Sequence, residues 1–328
     1  MLYPRTKRAR AFALLLGGLV ALLSSTLPVA ASEPASLVFI NGKAFRVYFN
    51  DGDSFRVLSG SRRGQKSRLG GFNTLESFGA THSWGNWNAY ELYVNAKQAT
   101  LNARRGVWHC TTDDSVDGYG RTLLYCPDLI VDSLRKGLAM AYTIDDTPSP
   151  PEYLRAQREA QEARRGMWAH GVPEFIVTSV HSAADSTYDH HYNRLISTRD
   201  GHTEKWEHND SYAECANVCS EEVRPDREQL KETARRMREN AELAPLLKDW
   251  FNINLEEFAA RWVRSNDFPS YLDENTQKKL GAFFAEEKAA GRLGKAERVR
   301  GSCMVYADFK RRYGRDAASC LHSKEPPK

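Results

Sequence analysis

The stretch Val47 to Gly60, V-Y-F-N-D-G-D-S-F-R-V-L-S-G, constrains this chain more than any other. Apolar and polar residues alternate, stop at Asp51-Gly52-Asp53, and resume alternating, which predicts two antiparallel strands around a tight turn. One Asp-Gly pair is enough for the turn. The second acid, Asp53, is left over, and the basic run Arg62-Arg63-Gly64-Gln65-Lys66-Ser67-Arg68 follows shortly after. Arg62, Arg63 and Lys66 read as a solvated face or as a patch tracking phosphates.

The first 31 residues bear on the charge argument. Arg5, Lys7, Arg8 and Arg10 precede an apolar run of about a dozen residues, too short to span a bilayer, with small residues up to Ala31. This pattern predicts a secretory signal peptide over 1–31, an exported protein (periplasmic or secreted), and no stable membrane insertion after cleavage. The net charge of +4 falls to about zero once those four basic residues leave. The whole-chain charge is therefore no argument for a polyanionic partner, and any attraction must come from local patches. Six cysteines in an exported chain point to disulfides.

Residues 36–178 alternate through several strands and three helices. Leu92, Ala96, Ala99 and Ala103 share one helical face. Cys110 and Cys126 flank Gly118 symmetrically and read as partners across paired strands, closing a loop worth about 3 kcal/mol in the entropic treatment. "PPEYLRAQREAQEARRGMW" reads as a helix bounded by Pro151 and Gly166, with Trp168 in the core. Five strands with added helices is the count of a small OB-type barrel in an α+β fold.

Residues 179–208 are polar and rich in histidine, with a short hairpin turning at Asp200-Gly201. His181, His190, His191, His202 and His208 match no zinc-finger spacing and read as solvated linker residues. Residues 209–328 read as a disulfide-linked, mostly helical domain. One helix is expected over Asn209–Val223, one over the segment from Gly301 to Gly314, and core faces such as Leu255, Phe258, Ala259 and Trp262 lie between them. Cys215 and Cys219, four apart on that expected helix, are placed poorly to bridge each other. Each is expected to pair with one of Cys303 and Cys320, in an order left open.

The chemistry concentrates in the first half. Asp53, Asn73, Thr74 and Glu76 offer oxygens suited to a hard cation. Arg68 and Arg121 are forks that suit a phosphodiester, and a spare carboxylate prepares water. The sequence "DGDS", "SRLGGFNTLE", "DGYGR", "LRKGLAMAY", "AQREAQEARRGMW" resembles the staphylococcal nuclease, or thermonuclease, family over residues 36–175. That resemblance implies a Ca²⁺-dependent nuclease acting on DNA and RNA, cleaving the 5′ P–O bond and leaving 3′-phosphates. It assigns Asp53, Asn73 and the Thr74 carbonyl to the metal, Glu76 to the water, and Arg68 and Arg121 to the phosphate. It also places Tyr119 and Tyr142 around the nucleotide, with Asp51 supporting the metal pocket.

Three positions depart from the family pattern. Asn73 replaces a carboxylate, which weakens Ca²⁺ binding, although sites working at about 10⁻⁴ to 10⁻³ M suffice outside the cell. Leu75 replaces a proline, which is expected to loosen the turn carrying Glu76. Gly118 replaces a lysine. The competing expectation is a catalytically weakened OB-fold module that binds nucleic acid or an envelope partner.

Overall fold

Asn41 and Gly42 both take positive φ, 47° and 78°, as the first hairpin turn requires. They separate β1 (Ser36–Ile40) from β2 (Lys43–Asp51). The computed structural model describes residues 36–78, 81–185, 191–312 and 316–321, all within one compact unit, Ala35–Lys328. The expected leader, 1–31, and His190 lie outside the described residues. None of the described helices is long and apolar enough to cross a membrane.

The chain continues through β3 (Ser54–Val57), β4 (Lys66–Leu69), β5 (Phe72–Thr74), β6 (His82–Ser83), α1 (Ala89–Arg105), β7 (Val107–Cys110) and β8 (Thr122–Leu124). Six strands form one curled sheet in the order β7-β1-β2-β3-β4-β8. Its two edges meet at a bridge between Thr111 and Tyr125, with N–H···O distances of 2.8 and 2.9 Å. The Cys110–Cys126 disulfide staples this seam, with Cα atoms 4.1 Å apart. The two cysteines therefore join opposite edges of a curled sheet rather than adjacent strands of a hairpin. The alternating inward side chains Val38, Ile40, Val47, Phe49, Phe55 and Leu69 fill the interior, each contributing about 1.5–3 kcal/mol of burial. The fold is α+β with a curled sheet in the manner of an OB barrel, though its main sheet carries six strands where five were expected.

Helix α1 starts at a capping box in which Asn88 and Glu91 exchange bonds of 2.9 and 3.2 Å. Its expected face, Leu92, Ala96, Ala99 and Ala103, is buried. Next come α2 (Pro127–Arg135), β9 (Ala139–Ala141), α3 (Pro151–Glu162) and β10 (Phe175–Ser179). β9 pairs with β5, and Trp168 is fully buried.

The second half departs from the helical expectation. β11 (Tyr192–Ser197) and β12 (Thr203–Glu207) form the expected hairpin, and β11 also pairs with β10. Asn217–Pro225, expected as part of a helix, is β13. The helices α4 (Arg227–Glu239), α5 (Ala244–Leu247), α6 (Asn252–Ser265) and α7 (Glu274–Ala289) follow, and Ala296–Val305 is β14. The inward positions of β13 include Ser220 and Glu222, so no apolar alternation marks it as a strand. The buried Glu222 carboxylate instead accepts the N–H groups of Glu174 and Phe175 at 2.9 and 3.0 Å. Cys219 and Cys303 face each other across β13 and β14 and are bonded, and Cys215 bonds Cys320. The expected faces of α4, α6 and α7 do form a core, around Leu230, Met237, Leu255, Phe258, Trp262 and Phe284. The histidines are not all solvated: His202 is buried between Asp200 and Glu204, at 2.5 and 3.1 Å.

Candidate active site

The connection between β2 and β3 is Asp51-Gly52-Asp53, and its glycine has a steric cause. A Cβ at Gly52 would stand 2.6 Å from Thr74 Cγ2 and 2.9 Å from Ala99 Cβ. Only a bare Cα lets the turn press against β5 and α1. That contact brings Asp53, only 3% exposed, onto Thr74. One Asp53 oxygen accepts the Thr74 N–H at 2.7 Å and its hydroxyl at 3.0 Å. The other is held by the Arg68 guanidinium. Arg68 stands opposite Ser54 in the β3–β4 ladder, next to the turn. Its second fork donates to Asn73 Oδ1 at 2.6 Å, and Asn73 Nδ2 donates to the Thr74 carbonyl at 2.9 Å. Asp51 accepts the Asp53 N–H at 3.3 Å.

Glu76 follows on the loop after β5. Leu75, expected to loosen this turn, does the opposite. It is fully buried against a cluster that includes Trp84, Leu92, Met140 and Trp168, and so anchors the loop. The Glu76 N–H donates to His82 Nε2 at 3.3 Å. Burial pushes the His82 imidazole down to about 4, so it is a neutral acceptor there.

Asp51, Asp53 and Glu76 repel one another. Burial, followed by repulsion from Asp53, pushes Asp51 up to about 7. Burial, followed by repulsion from Asp51 and Asp53, pushes Glu76 up to about 7, with Arg312 and Arg68 opposing the rise. Burial would lower the Arg68 guanidinium, but Asp53 and Asp51 outweigh it and hold it more firmly protonated. Tyr142 follows β9, donates its N–H to the Gly71 carbonyl at 3.2 Å, and is pushed up by burial, with Arg194 and Arg68 opposing.

Arg121 and Tyr119 sit apart from this cluster. The Arg121 Nε and one Nη reach Asp117 Oδ2 at 2.7 Å, and Asp117 also accepts the N–H groups of Tyr119 and Arg121 at 2.9 Å. The Tyr119 ring, 73% exposed, lies 5.4 Å from the Arg121 guanidinium. β8 runs parallel to β4 with Leu123 beside Arg68, so the Arg121 backbone lies two positions along the same face. Arg62 of the basic run pairs with Asp114 at 2.5 Å. Cavities of about 230 and 600 Å³ lie elsewhere, against Arg199 and against Trp250.

Among the described residues, no three His, Cys, Asp or Glu side chains converge tightly enough to hold a metal ion. The chemistry of the donors nonetheless fits a hard cation. Every donor is an oxygen, and the Arg68 guanidinium pairs directly with Asp53 and with the Asn73 amide oxygen.

Residues 94–170 match the family described as Staphylococcal nuclease homologue. This chain thus carries a staphylococcal-nuclease-like domain, the kind found in nucleases. The match begins inside α1 and ends just past Trp168, so it takes in Tyr119, Arg121 and Tyr142. The Asp51–Glu76 cluster lies before it and rests on geometry. No curated protein matches the chain. Sequence reasoning missed His82, which accepts the Glu76 N–H, and the opposing charges of Arg312 on Glu76 and of Arg194 on Tyr142. His82 and Arg312 arrive through pairing of β6 with β14, distant in the chain, and no local pattern announces such a contact.

Proposed function

We propose that the protein is an exported nuclease that hydrolyses phosphodiester bonds of DNA and RNA with Ca²⁺, cleaving the 5′ P–O bond and leaving 3′-phosphates. The observation that carries this reading is the hydrogen-bonded cluster of Asp51, Asp53, Arg68, Asn73 and Thr74, with Glu76 two positions beyond Thr74 on the next loop. Asp53, the Asn73 amide oxygen and the Thr74 carbonyl would hold the cation, with Asp51 behind them. When bound, Ca²⁺ supplies positive charge against the phosphate oxygens. Glu76, fixed through its own N–H by His82, accepts the proton of the attacking water. Arg68 sets its charge beside the cluster and stabilises the pentacoordinate phosphate. Arg121 gives two of its five donor N–H groups to Asp117, which aims the fork and leaves three for phosphate oxygens.

One observation favours the alternative, a binding module without catalysis: Arg68 already occupies both Asp53 and Asn73. Incubating the mature protein with plasmid DNA and with RNA, in excess Ca²⁺ or in chelator, decides between them. Calcium-dependent cleavage that is lost in Arg121→Ala supports the nuclease. Binding without cleavage supports the module, and neither binding nor cleavage leaves an envelope interaction protein.

A further inference from the structure

The second half of the chain is built into the walls of the site. β6, just beyond the Glu76 loop, pairs with β14 through Cys303↔Ser83 and Met304↔His82. On the other side, the β11–β12 turn docks on the segment after Tyr142. Thr143 donates its N–H to the Gly201 carbonyl at 2.9 Å, and Ser149 to the Asp200 carbonyl at 2.8 Å. Thr203 bonds the carbonyls of Asp145 and Thr143 at 2.7 and 2.5 Å.

Two half-buried guanidinium groups ride on these elements. Arg194, on β11, donates to the Tyr192 hydroxyl at 3.4 Å. Arg312, beyond β14, donates to the carbonyls of Ala307 and Val180 at 2.9 and 3.5 Å. Among the described residues, neither lies within ion-pair distance of a carboxylate. Arg199, Arg236, Arg261 and Arg264 of the same half each do. A desolvated guanidinium without a carboxylate is a receptor for an external anion. Arg312 follows β14, whose Met304 pairs with His82 beneath the Glu76 loop, and Arg194 lies on β11, whose turn docks just after Tyr142.

We infer that Arg194 and Arg312 contact backbone phosphates of the substrate, so that the C-terminal half forms the second wall of the nucleic-acid cleft. This inference rests on the nuclease reading above. It gives the second half of the chain a role in the same reaction, and it places the phosphate grip on both sides of the Glu76 loop.

The test uses the full mature chain, a fluorescein-labelled single-stranded oligonucleotide, and the variants Arg194→Gln and Arg312→Gln. Arg235→Gln, on the outer face of α4 and paired with Glu232 and Glu239, is the control. Losing a charge-assisted contact should raise KM and Kd about tenfold or more, with kcat within about twofold. Each variant should also flatten the slope of log affinity against log salt by about 0.7. The control should match wild type in both. Variants with the KM and salt slope of a cleaving wild type overturn the inference and leave the nuclease reading standing. A wild type that neither binds nor cleaves removes both. If Arg312→Gln does not fold, Arg194→Gln, which loses only a tyrosine hydroxyl contact, carries the test.

Discussion

Replacing Arg68 by alanine tests the electrostatic logic of the site directly. The Arg68 and Asp53 side chains are 18% and 5% exposed, so solvent screens their ion pair little. Removing one partner of such a pair costs about 3–5 kcal/mol, because the other is left charged and buried. Here the cost is compounded by Asp51 and Glu76, which lose one of the cations opposing their mutual repulsion. For a unit of the size of Ala35–Lys328, about 3–5 kcal/mol corresponds to roughly 5–8 °C in Tm. The assay is thermal and urea unfolding at pH 8, first in chelator and then with Ca²⁺ added. In chelator the variant should melt well below wild type. With Ca²⁺ it should recover more than wild type gains, because Asp53 and Asn73 no longer share their oxygens with the guanidinium. At a Ca²⁺ concentration of 100 Kd that recovery is about 2.7 kcal/mol. Cleavage should fall about 10² to 10³-fold with or without that recovery. A variant as stable as wild type in chelator would refute the reasoning, since the buried Asp53 cannot lose its counter-charge at no cost.

Asn73→Asp restores a carboxylate among the cation donors and should tighten Ca²⁺ binding, measured by calorimetry; unchanged affinity removes that position from the site. Gly52→Ala drives a methyl into Thr74 and Ala99, 2.6 and 2.9 Å away, and should cost about 1–3 kcal/mol in urea unfolding. A wild-type midpoint would show that the turn has room. His202 gives a pH test: burial would lower it, but Asp200 and Glu204 outweigh burial and push it up to about 10. Its folded value lies above the unfolded one, so its contribution is complete below about pH 6.5 and fades as pH rises toward 10. The stability gap between wild type and His202→Gln should therefore narrow from pH 6 to pH 9, and a constant gap contradicts the buried imidazolium. Peptide mapping without reduction should recover Cys215 linked to Cys320 and Cys219 linked to Cys303. Opening those long loops by reduction should cost about 4–5 kcal/mol each in the entropic treatment.

What the sequence determined by itself was local. The alternation either side of Asp51-Gly52-Asp53 fixes β2 and β3, since a period of two in apolar residues needs only neighbours to be read. The face of α1, the Pro151 start of α3 and the partnership of Cys110 with Cys126 follow from spacing and from residues with one strong backbone preference. The acidic and basic candidates from Asp51 to Glu76 could be read together because 26 positions hold them all. Tertiary structure decided the rest. β13 and β14 look helical or neutral in sequence because their inward positions include Ser220, Glu222 and Ser302, whose hydrogen-bond partners come from elsewhere in the chain. The same distance hides His82 beneath Glu76, the Arg312 charge that opposes the rise of Glu76, and the burial of His202. Leu75 reads as a loosened turn until Trp84, Met140 and Trp168 close over it. A carboxylate's charge state, a guanidinium's partner and a leucine's burial are properties of neighbours, and folding, rather than the order of residues along the chain, supplies those neighbours.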